Sequence, residues 1–468
     1  MSRADAVERS TSYIDSGAFL DDLGRRVALR TESQDPGSLP VLHRYLSGEM
    51  TSALERLGAH CTVVENPVAG GGPFLIAHRH EDPALPTVLV YGHGDVVLGQ
   101  PERWRSGLSP WEIRVEGDRW YGRGTADNKG QHTLNIAALG HVMAARGGRL
   151  GFNLTVLIET GEEAGSPGLR EMCEQRADEL AADLLLASDG PRLAADRPTV
   201  FLGSRGSVAF TLSLNLREGT YHSGNWGGLL RNPATVLASA LAGMVDGRGV
   251  ITVDGLRAPE IPDAVRRALA DVSPGGGPTD PEIDDGWGEP GLTPAERVMG
   301  GNALEVLAFV AGTPDAPVNA IPATARAHCQ LRFVVGTPWQ ELGRIVREHL
   351  DAQGYPMVEV HVDSTMAATR LSPDDPWVRW AVASIERSTQ KAPIVLPNLG
   401  GSLPNDVFAE VIGMPTVWVP HSYPACGQHG PDEHLLGSVA REGIRMMSGL
   451  FWDLGELGST RPGPAPAG

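Results

Sequence analysis

The feature that most constrains this chain is an alternation of strand and helix patterns that stops and later resumes. Short apolar runs of strand length, Cys61–Val64, Phe74–Ala77, Thr87–Tyr91, Phe152–Ile158 and Leu184–Ala187, lie between segments with apolar residues at helical spacing, about 17–30, 39–57 and 130–146. Such alternation predicts a mainly parallel sheet flanked by helices, because parallel neighbours need a crossover long enough to hold a helix. From Ser207 the pattern changes to a strand at Ser207–Leu216, a helix at Pro233–Val245, a strand at Ala327–Val335, a helix at Trp339–Gln353 and a strand at Met357–Val362. That order suits a smaller α+β sheet with helices on one face. The first pattern returns with a helix near Trp377–Thr389 and a strand at Thr416–Val419. The expectation is an α/β domain in two parts, 1–206 and 366–460, interrupted by a smaller α+β domain at 207–365. A length of 468 residues fits this, since single cores rarely grow beyond roughly 250–300 residues. The Gly-, Pro- and Asp-rich stretch Asp271–Leu292 reads as a long mobile loop, and the Pro/Gly-rich end, 461–468, as a disordered tail.

Composition narrows the function classes. A net charge of -18 opposes binding to nucleic acid or to anionic membranes, both of which rely on clustered Lys and Arg. No apolar run reaches the roughly 20 residues of a membrane span, and the opening MSRADAVERSTSYID lacks a secretory signal's apolar stretch, so cytoplasmic residence is expected. Cys61, Cys173, Cys329 and Cys426 have no CxxC spacing and read as reduced core thiols. Lys129 and Lys391 are the only lysines, with Arg supplying the rest of the positive charge.

Four segments carry chemistry: Tyr91-Gly-His-Gly-Asp95, Gly122-Arg-Gly-Thr-Ala-Asp-Asn-Lys-Gly130, Glu159-Thr-Gly-Glu-Glu-Ala-Gly-Ser166 and Ser188-Asp-Gly190. Each places a metal-competent side chain just after an expected strand or in a glycine-rich loop. In an open parallel sheet the strand C-terminal ends gather at one edge, where ligands bind. His93, Asp127, Glu162, Glu163 and Asp189 are thereby placed to converge. Each segment alone is an ordinary solvated feature; the ordered set is not.

In that order, with a distal His429, the segments resemble the M20 metallopeptidases. Tyr221-His-Ser-Gly-Asn-Trp-Gly-Gly228, Gly400-Gly-Ser-Leu-Pro404 and His429-Gly-Pro-Asp-Glu433 resemble its dipeptidase branch, typified by cytosolic nonspecific dipeptidases and carnosinases. The resemblance implies a catalytic domain, with the inserted domain serving as lid and dimerisation domain. It implies two divalent ions bridged by Asp127, with His93 and Asp189 on one and Glu163 and His429 on the other. Zinc suits mixed His and carboxylate ligands best, with manganese or cobalt also accepted. Asp95 would orient the His93 imidazole, and Glu162 would act as general base toward a metal-bridging water. His222 would steady the oxyanion from a neighbouring subunit of a homodimer, and Arg332 would bind a substrate carboxylate. Asn319, Gly401 and Ser402 would line the substrate.

The function implied is hydrolysis of small peptide or amide bonds, as a dipeptidase, with an N-acyl- or N-carbamoyl-amino-acid deacylase as the alternative. A non-catalytic binding protein would be expected to have lost ligands, and none is missing. One departure is Asn128, where the dipeptidase pattern has Asp; a backbone role there would survive the change.

Overall fold

The computed structural model describes residues 1–275 and 280–463, so 276–279 of the expected loop and 464–468 of the expected tail lie outside the described residues. The chain divides into two compact units: Met1–Leu202 with Leu371–Leu396 and Pro404–Gly468, and Gly203–Arg370 with Pro397–Leu403.

In the first unit eight strands form one mixed sheet, in the order His60–Val64, Phe74–Arg79, Asn153–Glu159, Thr87–His93, Leu184–Ala187, Thr416–Trp418, Thr199–Phe201, Ile394–Leu396. Thr87–His93 lies parallel to both Asn153–Glu159 and Leu184–Ala187, which in turn is parallel to Thr416–Trp418. The antiparallel pairings are His60–Val64 with Phe74–Arg79, Phe74–Arg79 with Asn153–Glu159, and one residue pair between Thr416–Trp418 and Thr199–Phe201. The central strands are buried nearly throughout, which is why they read as continuous apolar runs and not as alternations.

The helix Lys129–Ala145 crosses between Thr87–His93 and Asn153–Glu159. It packs against Gly437–Glu456, which also packs on Arg3–Asp15 and Pro376–Thr389. Leu134, Leu139 and Val142 from the first helix and Ile444, Met447, Leu450 and Phe451 from the second join Val88, Val90, Leu154 and Val156 in one core. Arg3–Asp15 starts with a capping box, in which Ser2 and Asp5 satisfy each other's backbone N–H groups. Arg461, placed by sequence in the tail, pairs with Asp183 at 2.5 Å.

The second unit contains a four-stranded antiparallel sheet in the order Ala303–Ala311, Thr324–Phe333, Gly206–Asn215, Glu359–Met366. Buried and less buried residues alternate along Gly206–Asn215 and Thr324–Phe333, as expected when only one face of a sheet is covered. That face supplies Val208, Phe210, Leu212, Ala327, Cys329 and Leu331 to a core completed by Leu237 and Leu241 of Pro233–Ala242 and Val346 and Leu350 of Leu342–Ala352. The edge strand Ala303–Ala311 was not expected. Its sequence, ALEVLAFVA, shows no alternation, and Leu307, Phe309 and Val310 are exposed. The described residues between 271 and 292 hold no helix or strand. The four cysteines are free, and Cys173, Cys329 and Cys426 are buried. No helix among the described residues is long and apolar enough to cross a membrane.

Candidate metal centre

Three adjacent parallel strands deliver the centre of the site. His93 ends Thr87–His93, Glu162 and Glu163 form the turn after Asn153–Glu159, and Asp189 follows Leu184–Ala187 by two residues. Asp127 comes from the loop that enters the helix Lys129–Ala145, whose N-terminal end favours a negative charge. That entry is tight: a Cβ on Gly130 would lie 1.9 Å from the Thr125 carbonyl oxygen, so only glycine fits there. His429 comes from the loop beyond Thr416–Trp418, with its backbone at φ +61, a left-handed conformation that few non-glycine residues adopt.

The side chains meet. His93 Nε2 is 3.0 Å from Asp127 Oδ1 and 3.7 Å from Asp189 Oδ2. His429 Nε2 is 3.0 Å from both Asp127 Oδ2 and Glu163 Oε2. One ligand atom from each of His93, Asp127 and Glu163 fits within 4.8 Å. Asp95 is fully buried; its carboxylate lies 3.3 Å from His93 Nδ1 and accepts the backbone N–H groups of Glu162 at 3.3 Å and Glu163 at 3.0 Å. It therefore couples the orientation of the imidazole to the position of the Glu162–Glu163 turn.

The electrostatics show what the cluster lacks. Burial, with Asp127 close by, pushes Glu163 up to about 7, and the same two causes push Asp189 up to about 6. Burial also pushes Glu162 well above the ordinary carboxylate value, opposed by His93 and assisted by Asp189, Asp127 and Glu163. Asp127 is held well below its ordinary value, against burial, by hydrogen bonds from His429 and His93. Hydrogen bonds to Asp127 and Glu163 raise His429 to about 10. Asp189 Oδ2 is buried without any hydrogen-bond partner. A crowd of buried carboxylates, two imidazoles and an orphaned acceptor oxygen fit divalent cations, which supply the missing positive charge and take the free lone pairs. Cys426 is buried beside Ala126 and Tyr423, and burial pushes its thiol up to about 12.

Several further residues make contacts around the cluster. Gln428 donates its amide to Asp127 Oδ2. Glu433 accepts the backbone N–H of Asp127 at 3.1 Å. The Asn128 side chain donates to the Ser188 carbonyl at 2.7 Å and lies 3.2 Å from His132 Nδ1. An Asp there could not donate to that carbonyl, so the departure engages the side chain and not the backbone alone. Lys129 is buried, donating to the carbonyls of Arg26 at 2.9 Å and Leu29 at 2.7 Å over the Tyr45 ring. It ties the Asp127 loop to the end of the helix Ala18–Val27.

The remaining candidates lie in the second unit and form two groups. Tyr221–His222 pairs with Ala320–Ile321, and the Asn319 carbonyl accepts the Ser223 backbone N–H at 2.9 Å. His222 is exposed; its Nδ1 accepts the Gly224 N–H at 3.2 Å, an arrangement in which the neutral ring carries its hydrogen on Nε2. Arg332 donates to Ser402 Oγ at 2.8 Å and to Gln330 Oε1 at 3.0 Å. Gly401, beside Ser402, is exposed.

Comparison with known proteins identifies the family. The chain belongs to the peptidase family M20/M25/M40, whose pattern matches residues 89–453. It is 27% identical over 419 residues to the cysteinylglycine-S-conjugate dipeptidase of Corynebacterium striatum, covering 86% of this chain and 88% of that one. It is 32% identical over 267 residues to the human Beta-Ala-His dipeptidase, covering 53% of this chain and 52% of that one. Among solved structures, an M20 family metallo-carboxypeptidase from Sulfolobus solfataricus superposes with a TM-score of 0.79 at 22% identity, over 94% of this chain and 99% of that chain. Human carnosine dipeptidase 1 superposes with a TM-score of 0.74 at 23% identity, over 96% and 99%. At these identities the structural likenesses establish the fold.

Proposed function

We propose that the chain is a two-metal dipeptidase of small peptides bearing a free C-terminal carboxylate. The observation that carries this reading is the convergence of His93, Asp127, Glu163, Asp189 and His429 in one cluster with Glu162 beside them. His93 and Asp189 would hold one divalent ion and Glu163 and His429 the other, with Asp127 shared. Zinc suits this donor set best, with manganese or cobalt accepted. Bound there, the ions would offset the carboxylate charge and act as Lewis acids toward an amide carbonyl and a water.

The chain's own groups account for the rest. Glu162 takes a proton from the attacking water and returns it to the leaving amine nitrogen, a task suited to a buried carboxyl with raised proton affinity. Asp95 holds the His93 ring and the Glu162 backbone in register. His222 Nε2–H, reaching in from a neighbouring subunit, would donate to the oxygen that gains charge as the carbonyl is attacked. Arg332, held by Ser402 and Gln330, presents its planar guanidinium to the substrate carboxylate, with Gly401 and Asn319 alongside.

The relatives' names, cysteinylglycine-S-conjugate dipeptidase and Beta-Ala-His dipeptidase, support dipeptides over blocked amino acids. The edge strand Ala303–Ala311, which exposes Leu307, Phe309 and Val310, supports a homodimer formed through the second unit, because an apolar edge left open invites pairing. Four free cysteines support a reducing, cytoplasmic setting. The test is hydrolysis by chelator-stripped protein reloaded with Zn²⁺, Mn²⁺ or Co²⁺, using free dipeptides beside N-acetyl and N-carbamoyl amino acids. Turnover of the dipeptides is expected. Turnover of the blocked substrates alone would replace this reading with a deacylase, and no turnover with any metal would end it.

A further inference from the structure

We propose that the buried Glu433–Arg123 pair is a positioning device that fixes Asp127 and His429 at the spacing needed to bind metal. The inference rests on the reading of those two residues as metal ligands. Glu433 and Arg123 are each 1% exposed, and Arg123 Nη1 donates to Glu433 Oε2 at 2.7 Å. The Glu433 carboxylate also accepts three backbone N–H groups of the Asp127 loop: Gly124 at 3.0 Å, Ala126 at 2.9 Å and Asp127 itself at 3.1 Å. Its own carbonyl accepts the Gly122 N–H at 3.0 Å. From the other side, Arg123 Nη2 donates to the carbonyl of Gly430, the residue after His429, at 2.8 Å. One ion pair thus grips the backbone of one candidate ligand directly and that of the other one residue away.

Only an ionised carboxylate suits this place. It offers about four acceptor sites and no donor, matching the three N–H groups and the guanidinium that face it. Glutamine would turn an NH₂ group toward one of those donors and release part of the loop. Asp127 and His429 meet at 3.0 Å, and neither contacts the Glu433 carboxylate through its side chain, so a change at Glu433 reaches the metal through backbone position.

The experiment is a Co²⁺ titration of the full chain after chelator treatment, following the visible absorption band and the heat of binding, with thermal unfolding measured in chelator. Glu433→Gln is expected to bind Co²⁺ roughly 10–100-fold more weakly and to alter the band, as changes behind metal ligands commonly do. Glu433→Gln leaves Arg123 buried without a counter-charge and is expected to lower Tm. The double variant Glu433→Gln with Arg123→Met removes that charge, so it should recover Tm without recovering Co²⁺ affinity. Wild-type Co²⁺ binding by folded Glu433→Gln would overturn the inference, as would a double variant that recovers both properties. Failure of the wild-type chain to bind Co²⁺ would overturn the metal reading and this inference with it.

Discussion

Replacing Glu163 by Gln is expected to stabilise the metal-free chain near neutral pH while weakening its hold on divalent cations. The Glu163 side chain is 4% exposed and stands beside Asp127. Its carboxyl is pushed from the ordinary 4.5 up to about 7. A raised carboxyl opposes folding once it ionises. The penalty is absent below the unfolded-state value, grows as pH rises from about 4.5, and is complete above about 7. At about 1.4 kcal/mol per pH unit, Glu163 costs the metal-free fold roughly 3 kcal/mol at pH 7.5 and less than about 1 kcal/mol at pH 5. Gln occupies the same volume and carries no charge, so the gain should follow that pH dependence. The hydrogen bond with His429 opposes it in part. Urea unfolding in chelator at pH 5 and pH 7.5 measures the difference. Adding Zn²⁺ should reverse the ranking, because the wild-type carboxylate then meets a cation instead of other carboxylates. A metal-free Glu163→Gln chain less stable than wild type at pH 7.5, or a gain equal at both pH values, would refute the reasoning.

Other substitutions separate the roles of the remaining residues. Glu162→Gln should lower kcat by roughly 10²–10⁴ with metal content unchanged, measured by steady-state kinetics and elemental analysis. Arg332→Lys should raise KM for dipeptides by about tenfold with little change in kcat, because a point charge replaces a planar two-pronged donor; the kinetics of the same preparation provide the check. Glu442→Ala should destabilise the fold by about 3 kcal/mol in chemical denaturation, since Arg192 is fully buried and pairs with Glu442 at 2.5 Å.

The sequence disclosed more of the centre than of its surroundings. His93, Glu163 and Asp189 could be read because each follows a strand whose apolar run is unmistakable, and a parallel sheet brings such positions to one edge. His429 follows no such rule, and its placement came from resemblance alone. The contacts of Glu433, Arg123 and Gln428 could not be read because they are made across some 300 residues of sequence, and no local pattern encodes them. In the fold, Gly437–Glu456 was overlooked although Ala440, Ile444, Met447, Phe451 and Leu454 recur at helical spacing, its three interior glycines arguing against a helix by propensity. Ala303–Ala311 was overlooked because a strand exposed along its edge has no reason to alternate. Without that strand, the smaller sheet could be assigned a class but not an order.

The order in which the chain is made gives His429 a further meaning. Four candidate ligands are complete by Asp189, but the fifth arrives only after the second unit and the returning strands have been synthesised. A growing chain therefore carries Asp127, Glu163 and Asp189 without one of the two imidazoles that temper their charge. The first unit also cannot close its core until Gly437–Glu456 is available to pack on Arg3–Asp15 and Lys129–Ala145. On the proposed reading, metal capture is deferred to the last stage of biogenesis, and a chain truncated before residue 429 should neither retain a divalent ion nor fold its first unit, however intact its second unit is.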